Sequence, residues 1–268
     1  MITIVFGKPG CGKTAYMTAD AVKYMNNSAE CLELQRVSSA QVAELNAGYT
    51  LPMLSPVYSN YPITVPYGYG KRRVSFYVDG FHMGFANDFV PVVFLPPESR
   101  IYLAEAQRYY NSRKNKDFPE WVSRYFEEHR HYGLNIMLDV QRPGLIDVNI
   151  RELCERFVEV QQLRHQIDGA GNILRTVFLL REFADWKTVD KYLNGDEKAG
   201  KTVAEKFEGN VFSHYKSKSY YDVFLPPSDC DFDYVVHPVG DTAAVRELAW
   251  QLYSQVAPEG FYGGKAKK

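Results

Sequence analysis

The chain has 268 residues, 24% of them charged, and a formal net charge of −1. That length suits one α/β domain with or without an appendage, and it buries a core without staples; the near-neutral balance excludes a global basic field for nucleic acid or membrane. Four scattered cysteines (Cys11, Cys31, Cys154, Cys230) with no C-x-x-C pair exclude a disulfide frame or a zinc site and read as free thiols of a reducing cytosol.

Residues 1–6 form an apolar strand that breaks directly into Gly7-Lys8-Pro9-Gly10-Cys11-Gly12-Lys13-Thr14. This is G-x-x-x-x-G-K-T, the phosphate-binding loop, set between a buried strand and a helix. Its glycines let the backbone turn N–H groups onto an anion, and the helix opening at Thr14 and Ala15 faces its positive end to a phosphate. Lys13 supplies a charge to the β- and γ-phosphates, and the Thr14 hydroxyl is placed to ligate Mg²⁺. The loop predicts nucleotide binding, with Gly7 to Ala15 as the binding residues, and no motif in the sequence reads the base. Cys11 is a small residue tolerated in the loop, in a setting able to lower its thiol pKa.

Residues 16–25 continue as a helix, and residues 30–47 read as a second helical or loop segment. Prolines and aromatics crowd residues 49–97, with strands expected at 57–60 and 74–78. Residues 101–103 form a short apolar strand, 120–131 a helix closed by Gly133, and 134–140 a buried strand ended by Gln141-Arg142-Pro143-Gly144. After a helical turn at 150–153, strands at 157–164 and 174–182 flank a hairpin turn at 168–172. A short helix follows at 186–192, then a polar, lysine-rich stretch at 195–220 and an amphipathic helix at 242–256. No internal repeat is present. The pattern predicts a P-loop α/β fold, a mostly parallel central sheet with helices on both faces. Residues 1–225 form the ATPase domain, and 226–268 a helical appendage with a basic tail.

A phosphate loop needs an acid for the metal shell and another to align water. Glu105, just past the 101–103 strand, is the catalytic candidate, or else an acid favoured by a helix start. The preceding position is Ala104 rather than Asp, so the metal acid has to come from Asp139 or Asp79. Asp139 sits in the apolar Met137-Leu138-Asp139-Val140 and is costly to bury unpaired. Gln141 follows its strand as the loop follows its own; it is either a γ-phosphate sensor or a polar loop residue.

Those motifs together resemble a known family. The opening loop, Leu103-Ala104-Glu105-Ala106-Gln107-Arg108-Tyr109, Glu127-Glu128-His129-Arg130-His131-Tyr132-Gly133, Leu138-Asp139-Val140-Gln141-Arg142-Pro143 and Ile150-Arg151 are similar to the zonular occludens toxin-like (Zot-like) ATPases. These are assembly and export motors of filamentous phages, related to FtsK/HerA-type pumping ATPases, and the likeness spans roughly residues 1–225. It implies that Lys13 and Thr14 bind nucleotide, that Glu105 is the catalytic carboxylate and that Gln141 is the sensor. Its partners would be phage DNA or coat proteins. Ala104 departs from the family's Asp-Glu pair. The membrane segment such proteins often carry is missing, which implies docking on a separate inner-membrane assembly protein or a shortened chain.

Arg108, Arg113 and Lys114 interleave with Tyr109 and Tyr110 directly after Glu105. They would hold a DNA strand by phosphate neutralisation and base stacking, or form a solvated loop with locally packed tyrosines. Arg130 and Arg142, with Arg151, are candidates for a finger offered to the next subunit's γ-phosphate, which requires a homo-oligomeric ring. Surface ion pairs explain each equally well. His129 and His131 lack a shared ligand spacing. The leading expectation is a cytoplasmic motor, peripheral at the inner face of the membrane, that couples ATP hydrolysis to moving DNA or coat protein. The alternatives are a nucleotide-gated scaffold with little hydrolysis, because of Ala104, and a small-molecule kinase.

Overall fold

A computed structural model describes residues 1–27, 57–67, 71–77, 100–113, 123, 126–131 and 133–215. The helices expected at 30–47 and 242–256, the appendage, Asp79 and Lys114 lie outside the described residues. The strands are β1 (Ile2–Phe6), β2 (Val57–Ser59), β3 (Thr64–Tyr67), β4 (Lys71–Val74), β5 (Phe76–Tyr77), β6 (Arg100–Leu103), β7 (Asn135–Val140), β8 (Arg156–Ile167), β9 (Ile173–Phe183) and β10 (Lys201–Glu208). Among the described residues the α-helices are α1 (Lys13–Asn27), α2 (Val148–Glu152) and α3 (Trp186–Leu193), and residues 126–128 are also helical. The main sheet runs β10-β9-β8-β1-β7-β6-β2-β5, parallel from β8 to β5 and antiparallel at β9 and β10.

Burial on both faces explains the near-continuous apolar runs of the central strands. On one face Ile4, Phe6, Ile101, Leu103, Leu138, Val140 and Phe157 pack with Ile150 of α2 and Val189 of α3. On the other face Val5, Tyr102, Ala104, Met137, Val158 and Phe178 pack under Ala15, Met17, Val22 and Met25 of α1. The expected mostly parallel sheet with helices on both faces is therefore the observed one. The capped start of α3 follows from Asp185, whose carboxylate accepts from Thr188 N at 2.7 Å.

Two local expectations differ. The strand expected at 74–78 breaks at Ser75, and β4 pairs with β3 in a separate ribbon while β5 joins the main sheet. Ser75 leaves the strand because its buried hydroxyl lies 2.7 Å from Ser59 Oγ and accepts from Ile63 N at 3.0 Å. The lysine-rich stretch after residue 195 contains a strand not foreseen, β10. Its side chains are mostly exposed, so it lacks the apolar signal and owes its conformation to pairing with β9. The expected hairpin turn at 168–172 is present, with Asp168 Oδ1 accepting from Ala170 N and Asn172 N at 2.8 Å each.

Candidate functional site

The loop after β1 leaves the sheet at its carboxyl edge and enters α1 at Lys13. Gly7 and Gly12 have φ of 145° and 102°, and both face β8. A Cβ on Gly7 would stand 2.7 Å from Val160 O, and one on Gly12 would stand 2.9 Å from Leu163 Cδ1. The motif glycines are thus required by close approach as well as by backbone conformation. The first turn of α1 carries no acidic residue, which leaves its positive end open to an anion. Lys8, Pro9 and Gly10 are exposed, while Ala15 is fully buried beneath the loop. The expectation that the setting lowers the Cys11 thiol is corrected: burial pushes it up, outweighing the nearby Lys13.

Strand parity decides which acid meets this loop. Met137 packs on the α1 face, so Asp139, two residues on, projects from β7 to the same face. It pairs with Val5 of β1, and its Oδ2 accepts from the Thr14 hydroxyl at 2.8 Å. Its Oδ1 is buried with no hydrogen-bond partner and lies 3.8 Å from Lys13 Nζ. Burial pushes the Asp139 carboxyl up to about 7, with Lys13 and Thr14 opposing the rise and Glu105 adding to it. Lys13 is nearly buried and donates weakly to Lys8 O at 3.4 Å. A buried, unsatisfied carboxylate oxygen beside a threonine hydroxyl is a hard-oxygen donor set that fits Mg²⁺, whose remaining positions are usually water and phosphate. Among the described residues, no group of three or more His, Cys, Asp or Glu forms a metal cage.

Glu105 follows β6 on the same edge of the sheet. Its backbone is left-handed, with φ 54° and ψ 41°, and among the described residues it is the only non-glycine with positive φ. The turn after it, Ala106–Arg108, is a single 3₁₀ turn, and the Glu105 side chain makes no cap bond to it. Glu105 thus stands at the start of this turn, as the helix-start reading has it, but its side chain does not cap the turn. Its carboxylate is instead held by the Gln107 side-chain amide. Strain of this kind costs on the order of 1–2 kcal/mol for an L-residue. Replacement by Asn, which visits this conformation more readily, is expected to raise unfolding free energy by roughly 0.5–1 kcal/mol in denaturant titration. A less stable Glu105→Asn would remove strain as the account of that backbone.

One polar residue at this edge was passed over in the sequence. Asn60, just after β2 and fully buried, donates from Nδ2 to Ala104 O and accepts at Oδ1 from Ala104 N, both at 2.8 Å. The available signal was an amide ending the apolar Val57-Tyr58-Ser59 run. Gln141 and Arg142 are exposed directly after β7, whose Val140 pairs with Phe6, so they sit beside the loop.

Arg130 is elsewhere. It belongs to the turn before β7, at the opposite edge of the sheet, where its Nε donates to Glu155 Oε1 at 2.7 Å. Arg151 stacks on Trp186 at 4.2 Å. In the basic–aromatic segment the rings are not available for stacking. Tyr109 and Tyr110 are buried, Tyr110 in an edge contact with Phe126 at 5.1 Å, while Arg108 and Arg113 are exposed. Tyr58, Tyr61 and Tyr215 are likewise buried and belong to the core.

The family described as zonular occludens toxin (Zot) matches residues 95–219. No curated protein sequence matches the chain. Among solved structures, the N-terminal domain of zonular occludens toxin from Neisseria meningitidis is similar at 17% identity and TM-score 0.46, covering 80% of this chain and 98% of that one. The genome-packaging NTPase B204 of Sulfolobus turreted icosahedral virus 2, in complex with ATP-gammaS, is similar at 8% identity and TM-score 0.36, covering 78% and 97%. The family match at residues 95–219 spans the stretch that holds Glu105, Asp139 and Gln141.

Proposed function

We propose that the protein is a magnesium-dependent ATPase motor and that residues 1–225 form its working domain. The observation that carries this is the Thr14–Asp139 bond at 2.8 Å, with Glu105 at the neighbouring strand end acting on the same carboxylate. The loop amides and the α1 terminus bind the β-phosphate, and Lys13 leaves Lys8 O to take phosphate charge. Thr14 and Asp139 would hold Mg²⁺, which supplies charge neutralisation on the β- and γ-phosphate oxygens. Glu105, released from Gln107, orients the attacking water and accepts its proton. Gln141, exposed at the end of β7, senses the γ-phosphate by its amide. Arg142, beside it, is better sited than Arg130 as a finger within a ring, since Arg130 would have to leave Glu155.

The cargo in this reading is phage DNA or coat protein, with Arg108, Arg113 and Lys114 supplying phosphate contacts. The match of residues 95–219 to the Zot family supports it. Among the described residues, no helix is long and apolar enough to cross a membrane. Work at the cytoplasmic face, on a separate membrane assembly protein, is part of the proposal.

The test is ATP turnover with Mg²⁺, with and without single-stranded DNA, alongside electron microscopy for rings. Turnover raised by DNA and lost in Glu105→Gln is the expected result. Tight ATP binding without turnover would instead indicate a nucleotide-gated scaffold, and phosphoryl transfer to a metabolite would indicate a kinase.

A further inference from the structure

We propose that Asn60 is a positioning residue for Glu105, acting through the Ala104 peptide; the inference rests on the ATPase reading above. β2 ends at Ser59 and β6 at Leu103, so the N–H and C=O of Ala104 fall beyond the last ladder pair. Both are taken by one side chain. Asn60 Oδ1 accepts from Ala104 N and Nδ2 donates to Ala104 O, 2.8 Å each, a closed two-bond ring suited to the paired acceptor and donor of a primary amide. The remaining Nδ2 hydrogen goes to Tyr109 Oη at 3.1 Å.

These bonds bracket Glu105. Asn60 fixes the residue before it and the residue four after it, and between them the 106–108 turn closes through Arg108 N to Glu105 O at 2.9 Å. With both flanks held, the chain reverses at residue 105, and the left-handed backbone there is the result. A non-glycine in that conformation persists only where its surroundings over-determine it, and Asn60 supplies that constraint. The carboxylate that would orient water is therefore aimed by the neighbouring strand. Tyr109 also links it to the segment bearing Arg108 and Arg113. Asn60 itself is fully buried and makes its contacts with Ala104 and Tyr109, not with the loop, so its role is indirect.

The experiment compares wild type, Asn60→Ala, Glu105→Gln and the double variant in ATP turnover and in binding of a fluorescent ATP analogue. Asn60→Ala is expected to lower kcat about 10- to 100-fold while the analogue Kd changes less than about threefold, the pattern of a misplaced catalytic group. In the Glu105→Gln background Asn60→Ala should cause no further loss, because both act on one step. Wild-type kcat in folded Asn60→Ala, or a full additional loss in the double variant, overturns the inference for Asn60 alone. Full turnover in Glu105→Gln overturns the assignment of Glu105 and this inference with it. Should Asn60→Ala fail to fold, Asn60→Ser keeps a polar group there but is too short to bridge both Ala104 N–H and Ala104 O. Lowered kcat there supports the proposal, and unchanged kcat overturns it.

Discussion

Asp139→Ala is expected to abolish magnesium-dependent ATP turnover, with a loss of at least about 100-fold in kcat/KM. The reason is geometric. Leu103 pairs with Leu138, so Ala104 and Asp139 follow side by side on adjacent strands, both toward α1. The acid absent from position 104 stands one strand nearer to β1, already bonded to Thr14. Ala104 is fully buried, so Ala104→Asp would add a second carboxylate next to Asp139. Two like charges in one apolar site disfavour ionisation of both, and the variant is expected to be less stable than wild type and no faster. Combined with Asp139→Ala, the same substitution is expected to recover part of the lost activity. Turnover assays on the three variants check this. Undiminished activity in Asp139→Ala would remove Asp139 from the magnesium site.

Lys13→Met is expected to lower turnover by about 100-fold or more, since one charge aimed at the transferring phosphoryl group is lost. It has a second, pH-dependent signature in the ligand-free protein. The folded Asp139 carboxyl titrates at about 7 against 3.8 for an ordinary one, so its favourable contribution is complete below about pH 4 and fades as pH rises through 7. Lys13 opposes that rise, and removing its ammonium drives the carboxyl higher. Below pH 7 the group is protonated in both folded proteins, and their stabilities should converge. At pH 8 the variant can retain its proton, which caps the difference arising from this group at about 1.4 kcal/mol. Methionine keeps the apolar stem, so packing contributes little. Denaturant titrations at pH 6 and 8 read the effect. A stability difference that is equal at both values would mean that Lys13 does not act through Asp139.

Much of the site was legible because its chemistry is local in the chain. The phosphate loop lies within eight consecutive residues, and an apolar strand before it and a helix after it dictate its shape. The strand-end positions of Glu105 and Gln141 were legible because each closes an apolar run, and parallel sheets bring such strand ends to one edge. The asparagine at the end of β2 had the same signature, yet its partner Ala104 lies 44 residues away, just past β6, and no local pattern names it. The basic–aromatic segment misled for the opposite reason. Alternating Arg and Tyr suggests a stacking surface, but the core claimed the rings of Tyr109 and Tyr110 and left the cations outside.

Composition and motif determined by themselves that this is an α/β protein with an anion cradle at its start, since glycine stereochemistry and strand hydrophobicity operate over a few residues. Only the tertiary structure decided which carboxylate faces the cradle. That choice depends on the register between β1 and β7 and on the side to which residue 139 projects, and a one-residue shift in either would have turned the acid toward the opposite core.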